Sequence, residues 1–293
     1  MANETPQQRA RQAFIALIAG TDASIDLAQA ALLIANEEYP DLDIGYYITQ
    51  LDRLAAQVCK TLGFTTLDSF KQAKSTLDTF RVIEAINSVL FEQEHFQGNS
   101  VDYYNPENSF LNDVLDKRKG IPITLSLVYM EVGKRLGLSI AGIGLPFHFV
   151  VRCPMKQDYL FIDPFEKGQL LSEEDCRQRV YRMFKDKEHF HERWLEPVTR
   201  RQLLVRMLAN LKHIYLHKDD YERALAMCDR ILLLAPNSAS EKRDRGIVHL
   251  HLKHYARALA DLTTYIERAP LAEDFDDIRK QINSIRQIMA MMN

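Results

Sequence analysis

Sulfur is scarce in this chain and never closely paired. Its four cysteines, Cys59, Cys153, Cys176 and Cys228, are widely spaced and form no CxxC motif. Such spacing supplies neither a zinc-ligand set nor a redox dithiol; it fits free thiols buried in a reducing compartment. Long apolar runs are also missing. No segment approaches the ~18 consecutive apolar residues of a spanning helix. The opening residues, MANETPQQRARQAF, lack the apolar stretch of a signal peptide. A cytoplasmic protein that does not engage a membrane is the expectation. Charge of one sign does not dominate either: 37 Lys and Arg face 40 Asp and Glu, a net charge of -3. No polyanion-binding surface follows from that balance, so nucleic acid is not an expected partner.

What is present suits a globular molecule. Of 293 residues, 46% are hydrophobic and 26% charged, enough for about two domains with a sizeable core. The first hundred residues have helical periodicity. Ile44, Ile48, Leu51, Leu54, Val58 and Leu62 share one helical face, and Gly63 follows where a left-handed cap is favoured. A second helix is expected from Thr79 to Phe91. At Gly98 the composition changes to GNSVDYYNPENS, a loop signature. A helix is expected over Pro106 to Asp116. The apolar run Ile123 to Leu136 is too long for a strand and is read as a buried helix that starts at Pro122 and ends at Gly137. Ser139–Gly144, Phe147–Cys153 and Tyr159–Ile162 then form the short strands of an antiparallel sheet. From Ser172 to Trp194 charges of both signs are dense, as in a solvated helix or linker; a partner-binding helix is the functional alternative.

The C-terminal segment repeats. Tyr221-Glu-Arg-Ala224-Leu225-Ala226 recurs as Tyr255-Ala-Arg-Ala258-Leu259-Ala260, and Ala235-Pro236 as Ala269-Pro270, each at an offset of 34. This period, with small Ala at the helix crossing and a closing Pro, resembles the tetratricopeptide repeat. Gly246 falls where such a repeat packs its helices closely. Phe275, Ile278, Ile282, Ile285 and Met289 form a last amphipathic helix that caps the stack. Two repeats make a short solenoid, read either as a brace for the rest of the chain or as a partner-binding surface.

The runs NPENSFLNDVL, KGIPITLSLVYM, LPFHFVV and FIDPF resemble the bacterial SirB-type family, in which a transglutaminase-like domain precedes tetratricopeptide repeats. The same domain type occurs in some eukaryotic F-box proteins. The resemblance is specific over about Leu90 to Phe165 and implies an α+β fold: a helical N-terminal region (1–97), a papain-like core with a small antiparallel sheet (98–171), a charged helical linker (172–197) and an all-α repeat module (198–293). In active members of the superfamily a Cys opens the buried helix, a His lies on a following strand and an Asp on the next. The thiolate attacks an amide carbonyl, His moves the proton and Asp orients His. Carried onto this sequence, the His is His148 and the Asp is Asp163, while about four helical turns before Gly137 the Cys position falls on Pro122, which has no nucleophilic atom. Cys153 shares the expected strand with His148 but at an odd offset, hence on the opposite face. Thr124 and Ser126 near the helix start are alternative hydroxyl nucleophiles, though such residues usually bond backbone or pack. The family pattern Pro-Gly-His-Phe has Phe147 in place of Gly, a ring that narrows access to His148.

These residues imply a non-catalytic scaffold or peptide-binding protein with vestigial positions Pro122, His148 and Asp163. The mouth is expected to be lined by His95, Asn105, Asn108 and Phe147. The alternative is a hydrolase or amidase with a rewired site in which His148 and Asp163 activate water. A regulator of a signalling partner is a third reading. The spacing of His95, His148 and Asp163 demands no metal, so neither a metal nor a cofactor is expected; the expected partner is a protein or peptide.

Overall fold

A computed structural model describes residues 4–73, 77–156, 158–184 and 190–292. The expected regions 1–97, 98–171, 172–197 and 198–293 therefore each include one or more residues outside the described ones. The chain divides into two compact units, Met1–Leu203 and Leu204–Asn293.

The first unit begins with helices α1 (Pro6–Ile18), α2 (Leu27–Glu38), α3 (Ile44–Thr61), α4 (Leu67–Ala73) and α5 (Thr79–Asn87). Their starts follow from local chemistry. Thr5 and Gln8 form a reciprocal capping box on α1, and the side chains of Asp26, Asp43 and Asp78 accept backbone N–H bonds at the starts of α2, α3 and α5. The periodic face of α3 is buried through Leu51, Leu54 and Val58, while Ile44 and Ile48 at its start are only half-buried. The helix expected over Thr79–Phe91 is interrupted: α5 passes into a π-helical turn, Ser88–Gln93.

Strand β1 (Gln97–Gly98) follows, then a 3-10 turn at Pro106–Asn108, α6 (Leu111–Lys117), β2 (Lys119–Gly120) and α7 (Pro122–Arg135). β1 and β2 pair in parallel, Gly98 against Gly120, which fixes the chain just ahead of α7. Nearly every residue of α7 is buried, as the continuous apolar run requires. Gly137, with φ +71, ends it.

Next come β3 (Ala141–Ile143), β4 (Val150–Pro154), β5 (Tyr159–Asp163) and β6 (Gln169–Leu171), an antiparallel meander in sequence order. The outer edge of β3 meets Pro197 through an isolated bridge at Ile143, and Val198 N–H donates to the Gly142 carbonyl at 2.9 Å. Helix α8 (Glu173–Phe184) and a 3-10 turn at Glu192–Leu195 complete the sheet's cover. The densely charged stretch is thus not merely solvated. Cys176, Val180 and Leu195 are buried with Ile143, Leu145, Val150, Phe161 and Leu171, and Phe190 and Trp194 pack on this cluster. α8 is amphipathic, with a narrow apolar stripe that its many charges conceal.

The second unit holds most of α9 (Arg200–His217), then α10 (Tyr221–Leu234), α11 (Ala239–His251), α12 (Tyr255–Arg268) and α13 (Phe275–Met292). Equivalent Ala224 and Ala258 are fully buried. A Cβ on Gly246 would stand 2.8 Å from the Leu262 side chain, so the close approach of α11 to α12 requires glycine. Ile278, Ile282 and Ile285 of α13 pack on Leu262 and Tyr265. Several charged groups inside are paired: Lys212 donates to Glu241 at 2.6 Å and Asp244 at 2.8 Å, and Arg245 bonds Asp229 and both oxygens of Asp261.

Candidate functional site

Three side chains from separate elements converge in the first unit. Asp163, the last residue of β5, is fully buried. Its Oδ1 accepts the backbone N–H groups of Phe165 at 3.0 Å and Glu166 at 3.3 Å. Its Oδ2 lies 2.7 Å from His148 Nε2 and also accepts a bond from Arg179 Nη1 of α8. Arg179 Nη1 is 3.4 Å from the same imidazole nitrogen, and its Nη2 donates to Gln169 Oε1 at 2.8 Å. Burial opposes ionisation of Asp163, but bonds and charges from His148 and Arg179 outweigh it and hold the carboxyl below its ordinary range. The ionised carboxylate only accepts, so the shared imidazole nitrogen carries the proton.

His148 is not on a strand. It closes the turn Leu145–His148, with its N–H bonded to the Leu145 carbonyl at 3.2 Å, and β4 starts at Val150. Phe147 adopts φ +56, and this left-handed turn delays the strand. The odd-offset argument about Cys153 therefore loses its basis. Phe147 is 72% exposed, and its ring faces Phe184 at 6.0 Å; Phe184 stacks on Trp194 at 6.0 Å. His148 retains 17% exposure of its side chain, beside this aromatic strip.

Pro122 is buried at the first position of α7. Phe165 touches both the β1–β2 pair ahead of α7 and His148. Gly120 pairs with Gly98, a Cβ on Gly98 would stand 2.6 Å from the Phe165 ring, and that ring lies edge-on to His148 at 6.1 Å. Thr124 is occupied: its hydroxyl accepts the Ile121 N–H at 3.1 Å and donates to the Asn108 carbonyl at 2.7 Å. Ser126 is fully buried.

Asn105 and Asn108 line a different feature, a polar cavity of about 750 Å³ whose wall includes neither His148 nor Asp163. Asn105 caps the 3-10 turn and bonds Asp102, while Asn108 donates to the Asp102 carbonyl at 2.6 Å. His95 is exposed in the turn before β1, with φ +59. Among the described residues no cluster of three or more His, Cys, Asp or Glu is placed to hold a metal.

All four cysteines are buried, and none is in a disulfide. Cys176, one turn before Arg179, has its thiol pushed up to about 12 by burial, against the pull of Arg179. Burial likewise raises Cys59 and Cys228. A thiol so placed is neither ionised nor accessible.

Arg179 and Gln169 did not stand out in the sequence, and Phe165 did so only as the end of the FIDPF run. The only trace of Arg179 was its place beside Cys176 and Val180, apolar residues four apart within a charged stretch.

Residues 46–209 match the transglutaminase-like superfamily, and residues 211–283 match the tetratricopeptide repeat. A UPF0162 protein of Xylella fastidiosa (strain Temecula1) is 37% identical over 262 residues, covering 88% of this chain and 89% of the relative. A UPF0162 protein of Vibrio cholerae is 26% identical over 203 residues, covering 69% and 75%. Human F-box only protein 21 is 31% identical over 188 residues, covering 58% of this chain and 29% of that protein. No solved structure matches. The chain belongs to the transglutaminase-like superfamily and carries a tetratricopeptide repeat module after that domain.

Proposed function

We propose that this protein is a non-catalytic, SirB-type scaffold of the cytoplasm that grips a protein or peptide partner. In this reading 98–171 is the gripping core, 172–197 the charged connection and 198–293 a second interaction surface. Pro122 stands in the nucleophile's place, and His148 and Asp163 are kept as a fixed hydrogen-bonding pair. The observation that carries the reading is the absence of usable sulfur. Proline starts α7, and each of the four thiols is buried. Acyl transfer from an amide needs a thiolate or an activated hydroxyl, and the Thr124 hydroxyl is engaged with backbone. The test is amidase, protease and acyl-transfer profiling of the purified chain. No turnover above background is expected; turnover abolished by His148→Ala overturns the proposal.

A water-activating hydrolase is the second reading. It is favoured by the 2.7 Å contact between His148 and Asp163 and the residual exposure of the imidazole. Hydrolysis that persists in Cys153→Ala and Cys176→Ala but vanishes in Asp163→Asn would select it.

A further inference from the structure

The carboxylate of Asp163 faces two cationic or potentially cationic groups through one oxygen. In an acid–base pair of this kind the carboxylate orients the imidazole and stabilises the imidazolium that forms. Here Arg179 occupies the same Oδ2, and a guanidinium is charged at every relevant pH. Its position is not that of a loosely tethered surface side chain. Cys176 and Val180, on the same helix, are anchored in the core, and Gln169 of β6 holds the second guanidinium nitrogen at 2.8 Å.

We infer that Arg179 is a positioning residue that serves as the standing counter-ion of buried Asp163 and so relieves His148 of that task. The inference deepens the proposal above and rests on its reading of the pair as a fixed element. The charge on Asp163 is already matched when the imidazole is neutral. Protonating His148 would set a second cation 3.4 Å from a permanent one with a single carboxylate between them. The other titratable groups on α8 have their own partners: Cys176 is held as a thiol, Asp175 is tied to Ser172 and lies near Arg182, Glu173 pairs with Arg177, Glu174 accepts from Gln178, and Tyr181 packs on Phe190. The neighbouring Glu166 reaches Asp163 through its backbone N–H. Arg179 thus holds the pair as a fixed recognition element.

Removing the guanidinium tests this. In Arg179→Gln the buried carboxylate is left with the imidazole as its only cationic partner, so the folded variant binds the imidazole proton more tightly than the unfolded chain. A group with a raised folded-state affinity for protons stabilises below its unfolded range and loses that contribution as pH rises. The Tm gap between wild type and Arg179→Gln is therefore expected to widen from about pH 5.5 to about pH 8.5. The widening is about 4 °C for each tenfold by which proton binding tightens. Trp194, the only tryptophan, packs on the cluster that holds α8, and its fluorescence reports this unit. In Arg179→Gln/His148→Gln the gap is expected to be equal at both pH values, and in Arg179→Lys, which keeps the charge, nearly so.

A gap in Arg179→Gln that does not change with pH overturns the inference, because a merely structural arginine costs the same throughout. Widening that survives in the double variant also overturns it. If Arg179→Gln does not fold at all, Asp163→Asn/Arg179→Gln must recover the fold, and its failure to do so counts against the counter-ion role. Turnover in the wild type would sink the proposed function without altering this readout, so the two fail separately.

Discussion

Gly168 lies in the turn that leaves Asp163, and an alanine there should cost two separate penalties. Its φ is +76, where a side chain costs about 1 kcal/mol or more. A Cβ would also stand 2.4 Å from Asn87 Oδ1 and 2.7 Å from the Phe91 ring. Asn87 is not free to withdraw. Its Nδ2 donates to the Gly168 carbonyl at 3.0 Å, and its Oδ1 accepts the Tyr129 hydroxyl at 3.0 Å. Relief of the overlap therefore breaks bonds at the junction of α5, α7 and the turn, an overpacking cost of about 2 kcal/mol. The sum for Gly168→Ala is about 3 kcal/mol, offset by a few tenths from the stiffer unfolded chain. Urea unfolding followed by Trp194 fluorescence measures it, and a Tm fall of about 9 °C is the thermal counterpart. Gly168→Asn separates the two causes, since Asn accepts left-handed backbone but keeps the Cβ; it should recover about a third of the loss. A loss below about 1 kcal/mol in Gly168→Ala, or full recovery with Asn, refutes the reasoning.

Other perturbations have equally definite outcomes. Asp163→Ala leaves Arg179 and His148 without their carboxylate and two backbone N–H groups without an acceptor, and should cost about 3–5 kcal/mol in the same urea assay. The native protein should resist aromatic disulfide reagents at all four cysteines and react fully only when unfolded, measured by thiol release with and without denaturant. In the second unit, His249 lies 3.3 Å from His254, Nδ1 to Nδ1, and burial lowers its pKa despite Asp261 and Asp229, with Arg245 adding to the fall. The unfolded chain then takes up the proton first as pH falls below about 6.5. Amide exchange in α11 should accelerate on acidification over that range, and His249→Gln should flatten the dependence.

Much of the fold was legible where one physical demand dominated. The stripe of α3, the uninterrupted apolar run of α7 and the 34-residue repeat each have one explanation, and the structure agrees with them. The meander was legible in its β3 to β5 strands but not in β6, whose Gln169–Leu171 is too short to show a period. The π-helical turn at Ser88–Gln93 left no mark, since its buried residues Val89, Leu90 and Phe91 are consecutive and read the same at either hydrogen-bond step. The site was half legible. Family resemblance pointed to His148 and Asp163, but spacing alone put His148 on a strand, because the left-handed φ at Phe147 cannot be read from residue type. Arg179 escaped because one arginine among many carries no signal until its helix is docked.

The sheet's outer strand is sealed by the residues that carry the chain away from it. β3 meets Pro197 and the Val198 N–H, and proline, having no N–H to give, stops the ladder there. Chain exit and edge protection are therefore one device. Any cleavage that frees the sheet from this segment bares the donors and acceptors of an apolar strand, an invitation for a second copy to pair with it and aggregate.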